Sequence, residues 1–217
     1  LNSNSDEFYE KFKMIKSKVF TKANLIVNLA CDNEDFEFIK QSISQLVKPL
    51  AVGKKQSFGK FELAAKENIG ISSSGSVQYV AKGINFSELG YKNHGCFDLL
   101  NQLLSTGYLW EKVRVQGGAY GCHLSFDKIS GSLVLTSYRD PNLEETIEAF
   151  DQIADYLENL EVTQDEFEKL IIGTVGRLDG PMTTSQKSKL SLNRYLAGVE
   201  HEYLDKRREE LLNTKLE

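Results

Sequence analysis

With 217 residues and a formal net charge of -5, the chain is long enough for one sizeable core. It lacks the basic excess that marks a nucleic-acid-binding surface. Hydrophobic residues make up 41% and charged residues 26%, an ordinary globular balance, and no apolar run approaches the ~20 residues of a membrane span.

In chain order, "ANLIVNLACD" predicts a strand over about residues 24–30. Phe36, Ile39, Ile43, Leu46, Val47 and Leu50 then recur at helical spacing. "AVGKKQSFGK" reads as a loop, and "KENIGISSSGSVQYVAKGINF" as two strands around a Ser/Gly turn. Leu99, Leu100, Leu103 and Leu104 mark a further helix that should end near Gly107. Residues 119–126 and 132–138 form a hairpin across "DKISG". In "DPNLEETIEAF", Asp140 is placed to cap a helix with Pro141 at its first position, where a missing N–H costs nothing. Leu143, Ile147, Phe150, Ile153 and Leu157 would form that helix's buried stripe. Thr163 and Glu166 have capping-box spacing, and Val162 and Phe167 that of a hydrophobic staple. The helix they open should run to about Asp179, where Gly180-Pro181 stops it, and two shorter helices follow. The sum is an α+β architecture: an antiparallel or mixed sheet covered by several helices, with residues 1–217 read as a single domain.

Several chemistries are excluded by spacing. In "GKKQSFGKF", five residues separate Gly53 from Gly59, and Phe61 stands where a phosphate loop needs Ser or Thr. In "GGAYG", Gly117, Gly118 and Gly121 miss the GxGxxG spacing by one. The histidines His94, His123 and His201 make no i, i+4 pair, and neither HExxH nor HxxEH occurs, so no metal site is readable. No GxSxG elbow is present, and His123 beside Cys122 on a strand would point to the opposite face. Cys31, Cys96 and Cys122 show no CxxC or zinc-ribbon pattern; they read as buried reduced thiols, which favours a reducing compartment.

The stretch "LWEKVRVQGGAYGCHLSF" carries the most chemistry. A helix-like segment bearing Arg114 meets a strand start bearing Tyr120, and Gly117-Gly118 permits a sharp turn between them. A guanidinium and a phenol aimed at one oxygen could hold a peptide carbonyl or stabilise an oxyanion. The alternative is a packing turn, in which Tyr120 shares strand parity with Cys122, Leu124 and Phe126 on the core face and Arg114 decorates a helix C-terminus. Residue chemistry alone favours the packing turn.

That stretch resembles the C-terminal-half motif of the pitrilysin/insulinase family of zinc metallopeptidases, specifically its presequence-protease and falcilysin-like subfamily. "LEVTQDEFEKLIIGTVGRLDGPMTTSQK" is similar to the subfamily's helix pair around a Leu-Asp-x-Pro turn, and "REELLNT" to its closing helix. The resemblance implies one of four related α+β domains in a chambered peptidase that degrades unfolded peptides. It also implies that zinc is bound by another domain through HxxEH and a distant glutamate, with no metal ligand in this chain. By the same resemblance, Arg114 and Tyr120 bind substrate backbone near the scissile bond, Gly117 and Gly118 form the turn, and Gly121 allows close backbone approach. The partners implied are the N-terminal half of the same polypeptide and the peptide, with no nucleic acid or membrane. The chain starts at Leu1 and stops at "NTKLE", as expected of a piece of a longer protein whose isolated form is inactive. The competing readings are a non-catalytic peptide-binding or scaffolding homologue of the same fold family, and a free-standing interaction domain.

Overall fold

The computed structural model describes residues 5–55 and 68–216. By internal packing the chain divides into two compact units, one of Leu1–Gly70 with Thr183–Leu192 and one of Ile71–Met182 with Asn193–Glu217.

In the first unit, helix α1 (Ser5–Val19) leads through a 3₁₀ turn (Lys22–Asn24) and an irregular run into α2 (Phe36–Val47). Helix α1 has no counterpart in the sequence reading. Helix α2 is the one predicted from Phe36, Ile39 and Ile43. The strand expected over 24–30 does not form. Among the described residues the pairing there is a parallel bridge between Thr21 and Ala51, with the Lys22 N–H donating to the Ala51 carbonyl at 2.8 Å and the Ala23 N–H to the Val52 carbonyl at 3.0 Å. Beyond it, Leu25, Ile26 and Val27 stay exposed, and among the described residues no neighbouring strand accepts their backbone. Branched apolar residues favour a strand only where such a partner exists. The expected loop from Ala51 is irregular through Lys55, and its remaining residues lie outside those described.

The second unit is built on a three-stranded antiparallel sheet in the order β1 (Ala81–Asn85), β3 (Ser132–Tyr138), β2 (Gly121–Asp127). The β2–β3 hairpin forms across the predicted turn with Gly121 facing Tyr138 and Asp127 facing Ser132. Asp127 Oδ1 accepts the Ile129 N–H at 2.9 Å, which closes the turn and holds that carboxyl below its ordinary range. Of the two strands expected over 66–86, only the second forms: the backbone of 68–77 is irregular, and residues 66 and 67 lie outside the described ones.

Helix α3 (Cys96–Thr106) ends at Gly107, as its leucine spacing predicts. One turn later a π-helix (Trp110–Gln116) delivers the chain to the Gly117-Gly118 turn. Leu104 from α3, Tyr108, Leu109 and Val113 pack with Ala119, Cys122 and Leu124 from the β2 side, and with Val80, Leu135 and Phe150. Leu109 has no exposure at all; burying such a side chain contributes about 1.5–3 kcal/mol.

Four helices follow the hairpin before the last: α4 (Glu144–Asp151), α5 (Ile153–Glu158), α6 (Gln164–Leu178) and α7 (Thr184–Ala197), with α8 (His201–Leu212) closing the chain. The predicted capping box is present, with the Thr163 N–H donating to Glu166 Oε2 at 2.9 Å and the Glu166 N–H donating back to Thr163 Oγ1 at 3.3 Å. Thr163 holds the Glu166 carboxyl below its ordinary range. Phe167 and Val162, the expected staple, share a second core with Leu99 and Leu211. There Asp98 of α3 pairs with Arg207 of α8, and also with Lys128 of the hairpin turn at 3.2 Å.

Two expectations about α4 are corrected. The helix begins at Glu144 rather than beside Pro141, because Asp140 is engaged elsewhere and Leu143 (φ -120°, ψ -60°) is not helical. Leu143 and Ile147 are therefore exposed, leaving Phe150 as the buried residue of the stripe, with Ile153 and Leu157 packed against the same core.

Burial pushes the Cys122 thiol up to about 12, and the Asp140 charge pushes the same way. Its ordinary value is 9.0, so the folded chain holds a proton that the unfolded chain releases. Stability from this group is accordingly lost as pH rises past the ordinary value. Thiols alkylate as thiolates. At pH 8, iodoacetamide should label Cys31 first and leave Cys122 intact until urea unfolds the chain. Peptide mass mapping checks this, and equal labelling rates would contradict the packing described.

Candidate functional site

The backbone between Arg114 and Tyr120 is held at every step. The π-helix widens the ordinary winding: the Gly117 N–H reaches the Lys112 carbonyl at 3.0 Å, the Gly118 N–H the Arg114 carbonyl at 3.1 Å, and the Ala119 N–H the Val113 carbonyl at 3.1 Å. Gly117 sits so close to the preceding turn that an added Cβ would lie 2.6 Å from the Val113 carbonyl oxygen. Gly118 has φ +79°, the left-handed region that glycine takes without penalty. These two positions turn the chain from the helix into β2. Gly121, the first residue of β2, leaves His123 Nε2 as its nearest neighbour, 3.5 Å from an ideal Cβ.

The result places two donor side chains on the surface, one on either side of the turn. Arg114 is exposed, with its guanidinium carbon 4.0 Å above the centre of the Trp110 ring. Tyr120 is 66% exposed, and its ring meets Tyr138 edge-on at 5.9 Å. Each is steadied by an aromatic neighbour, and no hydrogen bond joins the two to each other among the described residues. The packing-turn alternative put Tyr120 on the core face by strand parity. Instead Ala119 is buried and Tyr120 exposed, although Cys122 and Leu124 of the same parity are buried.

A break in the sheet ladder explains that slip. Ala81 faces Thr136, and the Ser137 N–H donates to the Val80 carbonyl at 2.8 Å. The next pair is Gln78 with Asp140, hydrogen-bonded in both directions at 2.6 and 3.0 Å. Tyr79 therefore faces both Tyr138 and Arg139: a β-bulge with one extra residue. Arg139 has φ +49°, and it is the one non-glycine residue with positive φ among those described. On the other side of the bulge the Tyr120 N–H is shared between the carbonyls of Tyr138 at 3.1 Å and Arg139 at 3.4 Å.

Asp140 anchors this corner. It is fully buried, and its Oδ1 accepts the Asn142 N–H at 2.9 Å while Oδ2 accepts the Thr146 hydroxyl at 2.7 Å. Asn142 in turn donates from Nδ2 to the Gly117 carbonyl at 2.6 Å, so the loop after β3 grips the glycine turn directly. Sequence reasoning took Asp140 for a helix cap and passed over Arg139 and Tyr138. The available signal was "SYRDPN", an alternating strand interrupted by Arg just before a proline. Among the described residues no three His, Cys, Asp or Glu side chains cluster as metal ligands.

The family model described as the PreP C-terminal domain matches residues 68–217, which includes all of this site. The chain belongs to this family, a presequence-protease branch of the pitrilysin peptidases. Its PreP-like sequence is 37% identical to the protein HypA of Clostridium perfringens over 96% of this chain and 21% of that protein. It is 34% identical to presequence protease 1, chloroplastic/mitochondrial, of Arabidopsis thaliana over 93% of this chain and 19% of that protein. The chain thus spans about a fifth of the length of these curated relatives. Among solved structures, the peptidase M16 inactive domain from Pseudomonas fluorescens superimposes with a TM-score of 0.58 at 20% identity, covering 95% of this chain and 51% of that one. A protease from Helicobacter pylori gives a TM-score of 0.56 at 16% identity, over 82% of this chain and 47% of that one. Both share the α+β fold of this PreP C-terminal domain.

Removing the anchor should loosen the whole corner. Asp140→Ala leaves the buried Thr146 hydroxyl and the Asn142 N–H without their acceptor, and is expected to cost about 1–3 kcal/mol in urea unfolding. Gly118→Ala, which meets only Pro141 Cγ at 3.5 Å, should cost about 1–2 kcal/mol through its backbone alone. Unchanged unfolding midpoints for both would contradict the geometry above.

Proposed function

We propose that this PreP C-terminal domain holds the substrate backbone for a zinc metalloendopeptidase that degrades unfolded peptides. In this reading the catalytic metal and the remaining walls of the chamber come from elsewhere in a longer polypeptide. The supporting observation is that Arg114 and Tyr120, on either side of a fully hydrogen-bonded glycine turn, are both exposed, and that among the described residues neither side chain is drawn into an internal hydrogen bond or ion pair. A guanidinium stays charged at all working pH and carries a fixed set of N–H donors. A phenol adds one O–H donor. Both are suited to donate to a peptide carbonyl oxygen and to stabilise negative charge as it develops there.

This chain's own described residues do not fit a zinc ion, so the proposal assigns them no step at the metal. Their part is to bind and orient the peptide. Cys31, Cys96 and Cys122 are all free thiols, which suits work in a reducing compartment. No helix among the described residues is long and apolar enough to cross a membrane.

The test uses the full-length parent protein and a fluorogenic peptide. Arg114→Ala and Tyr120→Phe should each lower turnover by about 100- to 1000-fold, with circular dichroism unchanged because both side chains are exposed. Turnover near wild type in both variants would remove the assignment. If the parent reading frame carries no HxxEH, the same surface acts as a peptide holder without cleavage, and peptide binding rather than turnover becomes the readout.

A further inference from the structure

We infer that Arg139 is a specificity residue of this same surface, binding a carboxylate of the held peptide. The inference rests on the peptide-holding reading of Arg114 and Tyr120.

Several observations support it. The bulge makes Arg139 the extra residue in the ladder, and bulges are a common means of re-aiming a side chain beside a functional site. Its φ of +49° is one that glycine takes freely and an arginine does not. A strained non-glycine residue is a reason to look for a role. The bulge does not depend on the arginine side chain: the corner is fixed by Asp140, through the backbone pair with Gln78 and the bonds to Asn142 and Thr146. The side chain is therefore free for other work.

Its position suits that work. The Arg139 guanidinium carbon lies 5.5 Å over the Tyr138 ring. Tyr138 meets Tyr120 on one side at 5.9 Å and Tyr79 on the other at 5.4 Å, so the charge stands beside the phenol row that includes the proposed backbone-binding tyrosine. Among the described residues Arg139 has no carboxylate partner, whereas Arg207 pairs with Asp98 and Arg208 with Asp179. A guanidinium fork matches a carboxylate with two parallel hydrogen bonds. An acidic side chain of the peptide, or its C-terminal carboxylate, presents that group.

The experiment uses the full-length protein and three fluorogenic peptides of one parent sequence: neutral and amidated, amidated with one Glu, and neutral with a free C-terminal carboxylate. In Arg139→Gly, which relieves the backbone, the kcat/KM ratio of a carboxylate peptide over the neutral one should fall about 10- to 100-fold, through KM. Arg139→Lys should restore part of it. A fall confined to the Glu peptide identifies a side-chain carboxylate as the ligand, and one confined to the free acid identifies the terminus. If neither ratio falls while Arg114→Ala and Tyr120→Phe still cripple turnover, this inference is overturned and the peptide-holding reading stands. If those two variants are also silent, both fall together. The thermal midpoint of Arg139→Gly should equal or exceed wild type; a lower one would make the arginine a structural strut and overturn the inference.

Discussion

A carboxylate with no solvent exposure, Asp140, sits where strand, turn and helix meet, and both of its oxygens are committed to neighbours. A buried charge is tolerated only when it is well hydrogen-bonded. That requirement dictates the local structure: the Asn142 N–H and the Thr146 hydroxyl must face inward, so α4 starts later than its proline suggests. Asn142 is then left in position to bind the Gly117 carbonyl. Through this short chain of bonds the loop after β3 and the turn before β2 become one rigid corner. The side chains of Arg114, Tyr120 and Arg139 are carried on that corner.

The π-helix is the second device. An ordinary winding from Trp110 would bring Gly117 round to a different face. The wider i→i+5 bond from Gly117 to Lys112 and the still longer one from Ala119 to Val113 let the last turn open before the strand begins. Such local widening is often found at functional sites. Here it leaves Val113 in the core and Arg114 outside it, stacked on Trp110. The chain belongs to the PreP C-terminal family and spans about a fifth of its curated relatives.

Much of the second unit was legible because its signals are local. The α3 leucines, the hairpin around "DKISG", and the capping box at Thr163 depend on residues a few positions apart, and each forms where expected. What failed depends on distant partners. The run at 24–30 has strand composition but finds no ladder among the described residues. Helix α1 went unnoticed although Phe8, Phe12 and Ile15 recur at helical spacing; those side chains are all exposed. The corner at Asp140 was misread because a local rule, proline at a helix start, competed with bonds from Asn142 and Thr146 to a buried Asp140, and neither that burial nor the onward link to Gly117 is visible in spacing. The same limit hid Arg139, whose significance appears only once the pairing of Gln78 with Asp140 reveals the extra residue.

The left-handed backbone at Arg139 also sets the cost of holding that residue in place. Glycine takes this conformation without penalty and asparagine enters it more readily than other side chains, so either would ease the backbone there. With arginine in the position, the local strain is offset by the bonds that Asp140 makes around it.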